Sequence, residues 1–150
     1  MDTKDIEAEA ATLVLDSFTE ATALRLGKLL VDLALADALP VVINIRTADR
    51  TLFHAALPGS APLNDLWARR KSNTALAFQL PSLLVGLRNK AKAEGLDRHG
   101  LPPGDYADSG GAVPVRVKGV GMVAVATVSG LPQVEDHKLV VRGLKALIAG

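Results

Sequence analysis

Residues 41–57, VVINIRTADRTLFHAAL, decide the fold class. Val41 to Arg46 is a run of β-branched and apolar residues, Thr47-Ala48-Asp49-Arg50 is a turn, and Thr51 to Leu57 continues as the partner strand. The pattern predicts a hairpin, which Pro58-Gly59-Ser60 closes. A second hairpin is predicted from residues 113–128, VPVRVKGVGMVAVATV, where Gly119-Val120-Gly121 joins strands Val113 to Lys118 and Met122 to Val128. Glycines 119 and 121 also fit the loose dinucleotide pattern G-x-G-x-x-A, but that chemistry needs a helix after the glycines and a β-branched strand follows here. Two hairpins favour an antiparallel sheet covered by helices, an α+β layout, over alternating βαβ units.

Helices are predicted around these hairpins. Ser17-Phe18-Thr19-Glu20 has the spacing of a capping box, with Ser17 as the cap. Leu26, Leu29, Leu30 and Leu33 then place one buried stripe on the helix that follows, and Pro40 stops it. A helix runs from near Pro62 through Trp67 and Lys71 toward Gln79, and another from Ser82 to Lys92. Gly95 to Gly111 reads as a long loop. Pro132 suits the first position of a last helix, with Glu135 and Asp136 near its positive end and Val140, Leu144, Leu147 and Ile148 as its apolar face. Residues 1–16 are a lead-in segment, helical or loose, and residues 17–150 form a single domain.

Composition narrows the function. Of 150 residues 49% are apolar but only 3% aromatic, so the core must be built from Leu, Val, Ile and Ala. The formal net charge of +1 gives no electrostatic case for nucleic acid. There is no cysteine, which excludes disulfides, thiolate catalysis and thiolate metal ligands and suits a cytoplasmic location. The acidic start Met1-Asp2-Thr3-Lys4-Asp5 is unlike a secretory signal, and no apolar run approaches the roughly 20 residues of a membrane span.

Several residues can carry chemistry. Asp108-Ser109-Gly110-Gly111-Ala112 either forms an anion nest for a carboxylate or is a loop that needs positive φ before a strand. Trp67 and Lys71, four apart, share a helix face. They border a pocket, or the Trp is packed with the Lys stem over it. Arg69-Arg70-Lys71 reads as a solvated basic face. The neighbours Glu135, Asp136 and His137 cannot all face one way, so they make no chelating cluster, and no metal site is expected. On its strand His54 faces opposite to Phe53.

Three stretches taken together resemble one family. They are Leu52-Phe53-His54-Ala55-Ala56-Leu57-Pro58-Gly59 with Asn64-Asp65-Leu66-Trp67 and Arg70-Lys71; Asp105-Tyr106-Ala107 with Gly110-Gly111-Ala112-Val113-Pro114-Val115; and Val128-Ser129-Gly130-Leu131-Pro132-Gln133 with Glu135-Asp136-His137. In this order they look like the uncharacterised bacterial and fungal branch of the GlcG/HbpS-like (heme-degrading domain) superfamily, over roughly residues 17 to 148. The resemblance implies a profilin-like α+β fold with a central antiparallel sheet of about five strands, and homo-oligomers, some of which bind heme. It also implies relatives fused to, or encoded beside, enzymes of glycolate or diol metabolism. Carried over position by position, it marks His54, Trp67, Lys71, Gly110, Gly111, Asp136 and His137. At Gln79-Leu80-Pro81-Ser82 the chain departs from the branch pattern, with proline where a glycine- or serine-containing segment is usual.

Three functions follow as expectations. The first is an oligomeric module that binds heme or a small carboxylate, with His54, His99 or His137 as the axial candidates for heme. The second is a structural or adaptor homo-oligomer. The third is a weak heme-degrading or redox enzyme, with His54 or His137 as general base and Lys71 holding an anionic substrate.

Overall fold

In a computed structural model, which describes residues 1–150, the chain is a three-layer α/β/α sandwich. Helix α1 (Thr3–Thr12) and strand β1 (Val14–Leu15) precede α2 (Glu20–Ala36). The first hairpin is β2 (Val42–Arg46) and β3 (Thr51–Ala56); α3 (Pro62–Phe78) and α4 (Ser82–Lys92) follow. The second hairpin is β4 (Ala112–Val117) and β5 (Gly121–Ser129), and α5 (Gln133–Ala149) ends the chain. The sheet order is β1-β4-β5-β2-β3. The two hairpins join through an antiparallel β2–β5 pairing in which Ile43 lies opposite Val128 and Ile45 opposite Ala126. The α+β class and the two hairpins are as the sequence predicts, and five strands is the number the family resemblance implies, but the sheet is not purely antiparallel: β1 pairs with β4 in parallel, so it is mixed.

Strand alternation divides the interior into two unlike layers. Ile43, Ile45, Val113, Val115, Ala124, Ala126 and Val128 face α2 and α5, where they meet Leu26, Leu30, Val140 and Leu144. This is the main core, and each of its fully buried Leu and Ile side chains contributes about 1.5–3 kcal/mol. The opposite parity faces α3 and is smaller and more polar. There Ser72 Oγ shares a hydrogen bond of 2.7 Å with Thr127 Oγ1, and Ala75 packs on Ala112 and Val125. Close approach needs glycine on the core side: a Cβ on Gly27 would stand 2.4 Å from the Phe53 ring.

Some local expectations need correction. The cap of α2 is Thr19, not Ser17; its Oγ1 accepts from the Thr22 N–H, and Thr22 Oγ1 accepts from the Thr19 N–H in return. On α2 the buried stripe runs Thr22, Ala23, Leu26, Gly27, Leu30 and Ala34, while Leu29 and Leu33 are only half-buried at its margin. Pro132 is the N-cap of α5 and not its first helical residue, and Ile148 is exposed. Residues 1–16 contain α1, capped by Asp2, and β1; Ile6 is buried against Leu83 and Leu84, and Leu13 and Leu15 join the main core. The loop from Gly95 holds a 3-10 turn, Leu96–His99, and then runs along α3: the Ala107 N–H donates to Arg70 O at 3.2 Å and Asn73 Nδ2 to Asp105 O at 2.8 Å.

Candidate functional site

Helix α3 crosses the polar face of the sheet and carries Lys71 into the interior, where only 3% of it stays exposed. A buried ammonium has three protons to place. Nζ donates to Gly110 O at 3.1 Å, to Val128 O at 2.9 Å and to Asp136 Oδ2 at 2.9 Å, so all three are used. Asp136, 2% exposed in the first turn of α5, also receives the Gly130 N–H on Oδ2 at 3.3 Å and the Leu131 N–H on Oδ1 at 2.9 Å. One ion pair therefore ties α3, the end of the 95–111 loop, β5 and the β5–α5 turn together. Burial pulls Lys71 below its ordinary 10.5 and pushes Asp136 above its ordinary 3.8, and the attraction between them opposes both shifts.

The two glycines allow close approach, Gly111 to Val128 and Lys71, and Gly110 to Gln133 and Leu83. Gly111 has φ +137°, and a Cβ there would lie 2.4 Å from Val128 O and 2.6 Å from Lys71 Nζ. A Cβ on Gly110 would lie 2.6 Å from Gln133 O. The Gly110 N–H is itself spent, donating to Gln133 Oε1 at 2.9 Å. Of the two sequence readings of this loop, the backbone geometry favours positive φ and close approach; the Gly110 N–H is not part of an open anion nest.

Above the ion pair lies a cleft of about 260 Å³ between α3, Ser109-Gly110 and the start of α5. Trp67 and Leu131 are its only apolar walls. Asn64, Ser109, Ser129 and Gln133 supply polar side chains, with Lys71 and Asp136 at the floor. Ser129 is 2% exposed, and its hydroxyl, which borders the cleft, has no hydrogen-bond partner within the chain. The expected solvated face at Arg69-Arg70-Lys71 is a correction: Lys71 is buried, Arg69 pairs with Asp105 at 2.6 Å, and the Arg70 guanidinium lies 4.3 Å from the Trp67 ring centre. Arg70 Nε also donates to Pro103 O at 2.9 Å, which fixes it there.

The seven residues marked in the sequence do not all meet. Trp67, Lys71, Gly110 and Asp136 border the cleft, and Gly111 backs it. His54 lies outside, with both ring nitrogens engaged: Asn44 Nδ2 donates to Nδ1 at 3.0 Å, and Nε2 meets Asp65 Oδ1 at 2.8 Å. His137, 1% exposed, turns the other way and meets Glu9 Oε1 of α1 at 2.8 Å through Nε2. His99 stands exposed on the 3-10 turn, edge-on to Phe78. Leu80 and Pro81, where the chain departs from the branch pattern, border a different groove with Glu7 and Arg88. Sequence reasoning quoted Ser129, Gln133 and Asn64 within the family stretches and Ser109 within the loop, but singled out none of the four as a site residue. Parity held a signal for the first: Thr127 and Ser129 repeat at period 2 on an otherwise apolar strand.

Comparison with known proteins agrees with this architecture. A family model described as "Haem degrading protein HbpS-like" matches residues 18–145. A UPF0303 protein of Streptomyces coelicolor is 48% identical over 145 residues, covering 96% of this chain and 92% of that protein. The crystal structure of the Ybr137w protein superposes with a TM-score of 0.89 at 29% identity, over 99% of this chain and 88% of that one. A PduOC:heme complex shares the fold, with a TM-score of 0.71 at 21% identity over 88% of this chain and 95% of that one. Family model, close relatives and fold agree, and the chain belongs to the HbpS-like family.

Proposed function

We propose that this protein is a binding module for a small carboxylate, taken into the cleft between α3 and the N-terminus of α5. The observation that carries the reading is the Ser129 hydroxyl, which has no partner within the chain and is open to whatever fills the cleft that Ser129 lines. A hydroxyl that only water satisfies can exchange that water for a ligand oxygen. The start of α5, a helix of 17 residues, adds the partial positive charge of a helix N-terminus beside Gly130, Leu131 and Gln133. A cleft of about 260 Å³ suits a ligand of a few heavy atoms, below the usual range for drug-sized molecules.

Heme, which the family description brings to mind, does not fit this cleft. No histidine borders it, two apolar side chains cannot enclose a porphyrin, and both nitrogens of His54 are already engaged. An enzyme with His54 or His137 as base meets the same obstacle, since the ionisable groups at the cleft are Lys71 and Asp136 and each is committed to the other.

The test uses the single tryptophan. Trp67 borders the cleft, so its one indole N–H resonance reports on occupancy. Titration of ¹⁵N-labelled protein with acetate gives a saturable shift that Ser129→Ala weakens and chloride does not reproduce. Absence of any acetate-specific shift overturns the proposal. In parallel, hemin is titrated into wild type and the His54→Ala, His99→Ala and His137→Ala variants. The expected result is a weak Soret change that no variant alters; a saturable change lost in one variant restores heme as the ligand.

A second reading concerns assembly. Leu63 and Leu66 on α3 are 61% and 55% exposed, beside Trp67, at helical spacing. This apolar stripe supports self-association of the kind the family resemblance implies. The lack of cysteine supports a cytoplasmic location, and no helix is long and apolar enough to cross a membrane.

A further inference from the structure

The cleft's own polar groups do not sort one small carboxylate from another. Beside the Ser129 hydroxyl, the backbone carbonyls of Ser109, Gly130 and Leu131 accept no hydrogen bond within the chain, so donors and acceptors both stand free there. Discrimination has to come from what adjoins the cleft. A groove of about 400 Å³ runs between α3 and the 95–111 loop and shares Trp67 and Ser109 with the cleft, so the two meet along those side chains. The walls of the groove are of another kind: Leu96, Leu101, Pro103, Tyr106 and Ala107 line it together with Trp67. The loop that forms it is pinned to α3. Arg70 O receives the Ala107 N–H, Asn73 Nδ2 donates to Asp105 O, and Arg70 Nε donates to Pro103 O. The groove is therefore preformed, and a ligand entering it has little backbone to order.

We infer that cleft and groove form one two-part site for a monocarboxylate with an apolar tail, of the medium-chain alkanoate class; the inference rests on the carboxylate reading above. The carboxylate lies in the cleft and the tail in the groove. Charge fixes that direction. The groove carries two carboxylates, Asp97 and Asp108, the second held by Asn89 Nδ2 at 2.9 Å. Its one cation, Arg70, lies over the Trp67 ring and is tied to Pro103 O. The cleft end offers the Ser129 hydroxyl and the N-terminus of α5 instead. A ligand carboxylate is thus favoured at the cleft end and repelled at the groove end. The tail has the opposite preference, because the cleft has two apolar walls and the groove supplies Leu96, Leu101 and the Trp67 ring. Trp67 stands where the two parts meet and touches both ends of such a ligand.

The experiment titrates acetate, butyrate, hexanoate and octanoate into the full chain, by isothermal calorimetry and at the Trp67 indole resonance. Affinity is expected to rise about threefold per added methylene, the order that burying one CH₂ gives. Leu101→Ser and Leu96→Ser, each at a half-buried loop position, are expected to flatten that rise, with thermal midpoints to confirm that both variants are folded. Hexanamide and adipate, the neutral and doubly charged counterparts of hexanoate, are expected to bind more weakly than it does, the first for want of a carboxylate and the second because its far end would face Asp97 and Asp108. Acetate binding with no gain along the series, or a gain that neither variant reduces, overturns the inference and leaves the carboxylate site standing. Adipate binding as tightly as hexanoate overturns the placement of the tail and the inference with it. Hexanamide binding as tightly as hexanoate, or no binding by any of the series, overturns the carboxylate reading itself.

Discussion

Lys71 concentrates the energetics of the site in one side chain. Lys71→Met strands the Asp136 carboxylate in the interior and leaves Gly110 O and Val128 O without a donor. A loss of about 3–5 kcal/mol is expected from urea unfolding. The double variant Lys71→Met/Asp136→Leu differs from the usual case, in which an apolar pair replaces a buried ion pair at no cost. Here the Gly130 and Leu131 N–H groups also lose their acceptor, so the double variant stays below wild type by about 1–3 kcal/mol. The two pKa shifts fix the pH dependence. Asp136 is raised, so its contribution is complete below the ordinary 3.8 and is lost as pH rises through its folded value. Lys71 is lowered, so its contribution is complete above 10.5 and is lost as pH falls through its folded value. The stability gap between wild type and the double variant is therefore expected to be wider near pH 3.5 than at pH 7 by equilibrium unfolding. At this scale the sequence was half legible. The types Trp67, Lys71, Gly110 and Asp136 stand out as motifs, but Arg69, Arg70 and Lys71 are three adjacent cations, and only the phase of α3 against the sheet sends the third inward. Ser129 stands in a family stretch, but only the folded strand shows that it lines the cleft.

Elements were more legible than residues because their signals are periodic. Both hairpins follow from strand-forming runs and turn residues, α2 and α5 follow from apolar spacing, and α3 and α4 fall between the prolines and loop that bound them. Element ends were less so: Ser17 and Thr19 both suit an N-cap, and which one is used depends on the turn that follows β1. The assignment is open to a direct contrast. Thr19→Ala is expected to cost about 1 kcal/mol in thermal or urea unfolding and Ser17→Ala close to nothing; equal costs would show that Thr19 is not the cap in solution. β1 escaped notice for a plain reason. A pair of residues, Val14-Leu15, carries no period, and its strand character comes from lying beside Arg116 and Val117 of β4.

Across the whole molecule, the two faces of the sheet are put to different uses. The α2/α5 side is a conventional apolar core, and the α3 side is the polar layer that holds the Lys71 pair and the cleft. α3 thus serves two surfaces, its inner side toward the sheet and an outer stripe of Leu63 and Leu66 left uncovered. Light scattering at micromolar concentration is expected to give more than a monomer for wild type and a smaller species for Leu63→Glu/Leu66→Glu. A monomeric wild type would remove the assembly reading without touching the cleft. The α+β class was readable because hairpins state their own partner. The layering was not, because it depends on which helix covers which face, and both faces offer small residues.

The parallel pairing of β1 sets the order in which the protein can be completed as it is made. α1 and β1 are made before their partners: β1 lies against β4, and Glu9 meets His137, 128 residues later. β1 has no partner strand until β4 is made, whereas Ile6 of α1 meets Leu83 and Leu84 as soon as α4 is present. The hairpins can assemble from neighbours in sequence, whereas the N-terminal segment completes its contacts in steps as α4, β4 and α5 are made. A nascent chain stalled short of β4 would thus leave Val14-Leu15 without a partner strand, and one stalled short of α5 would leave Glu9 without His137.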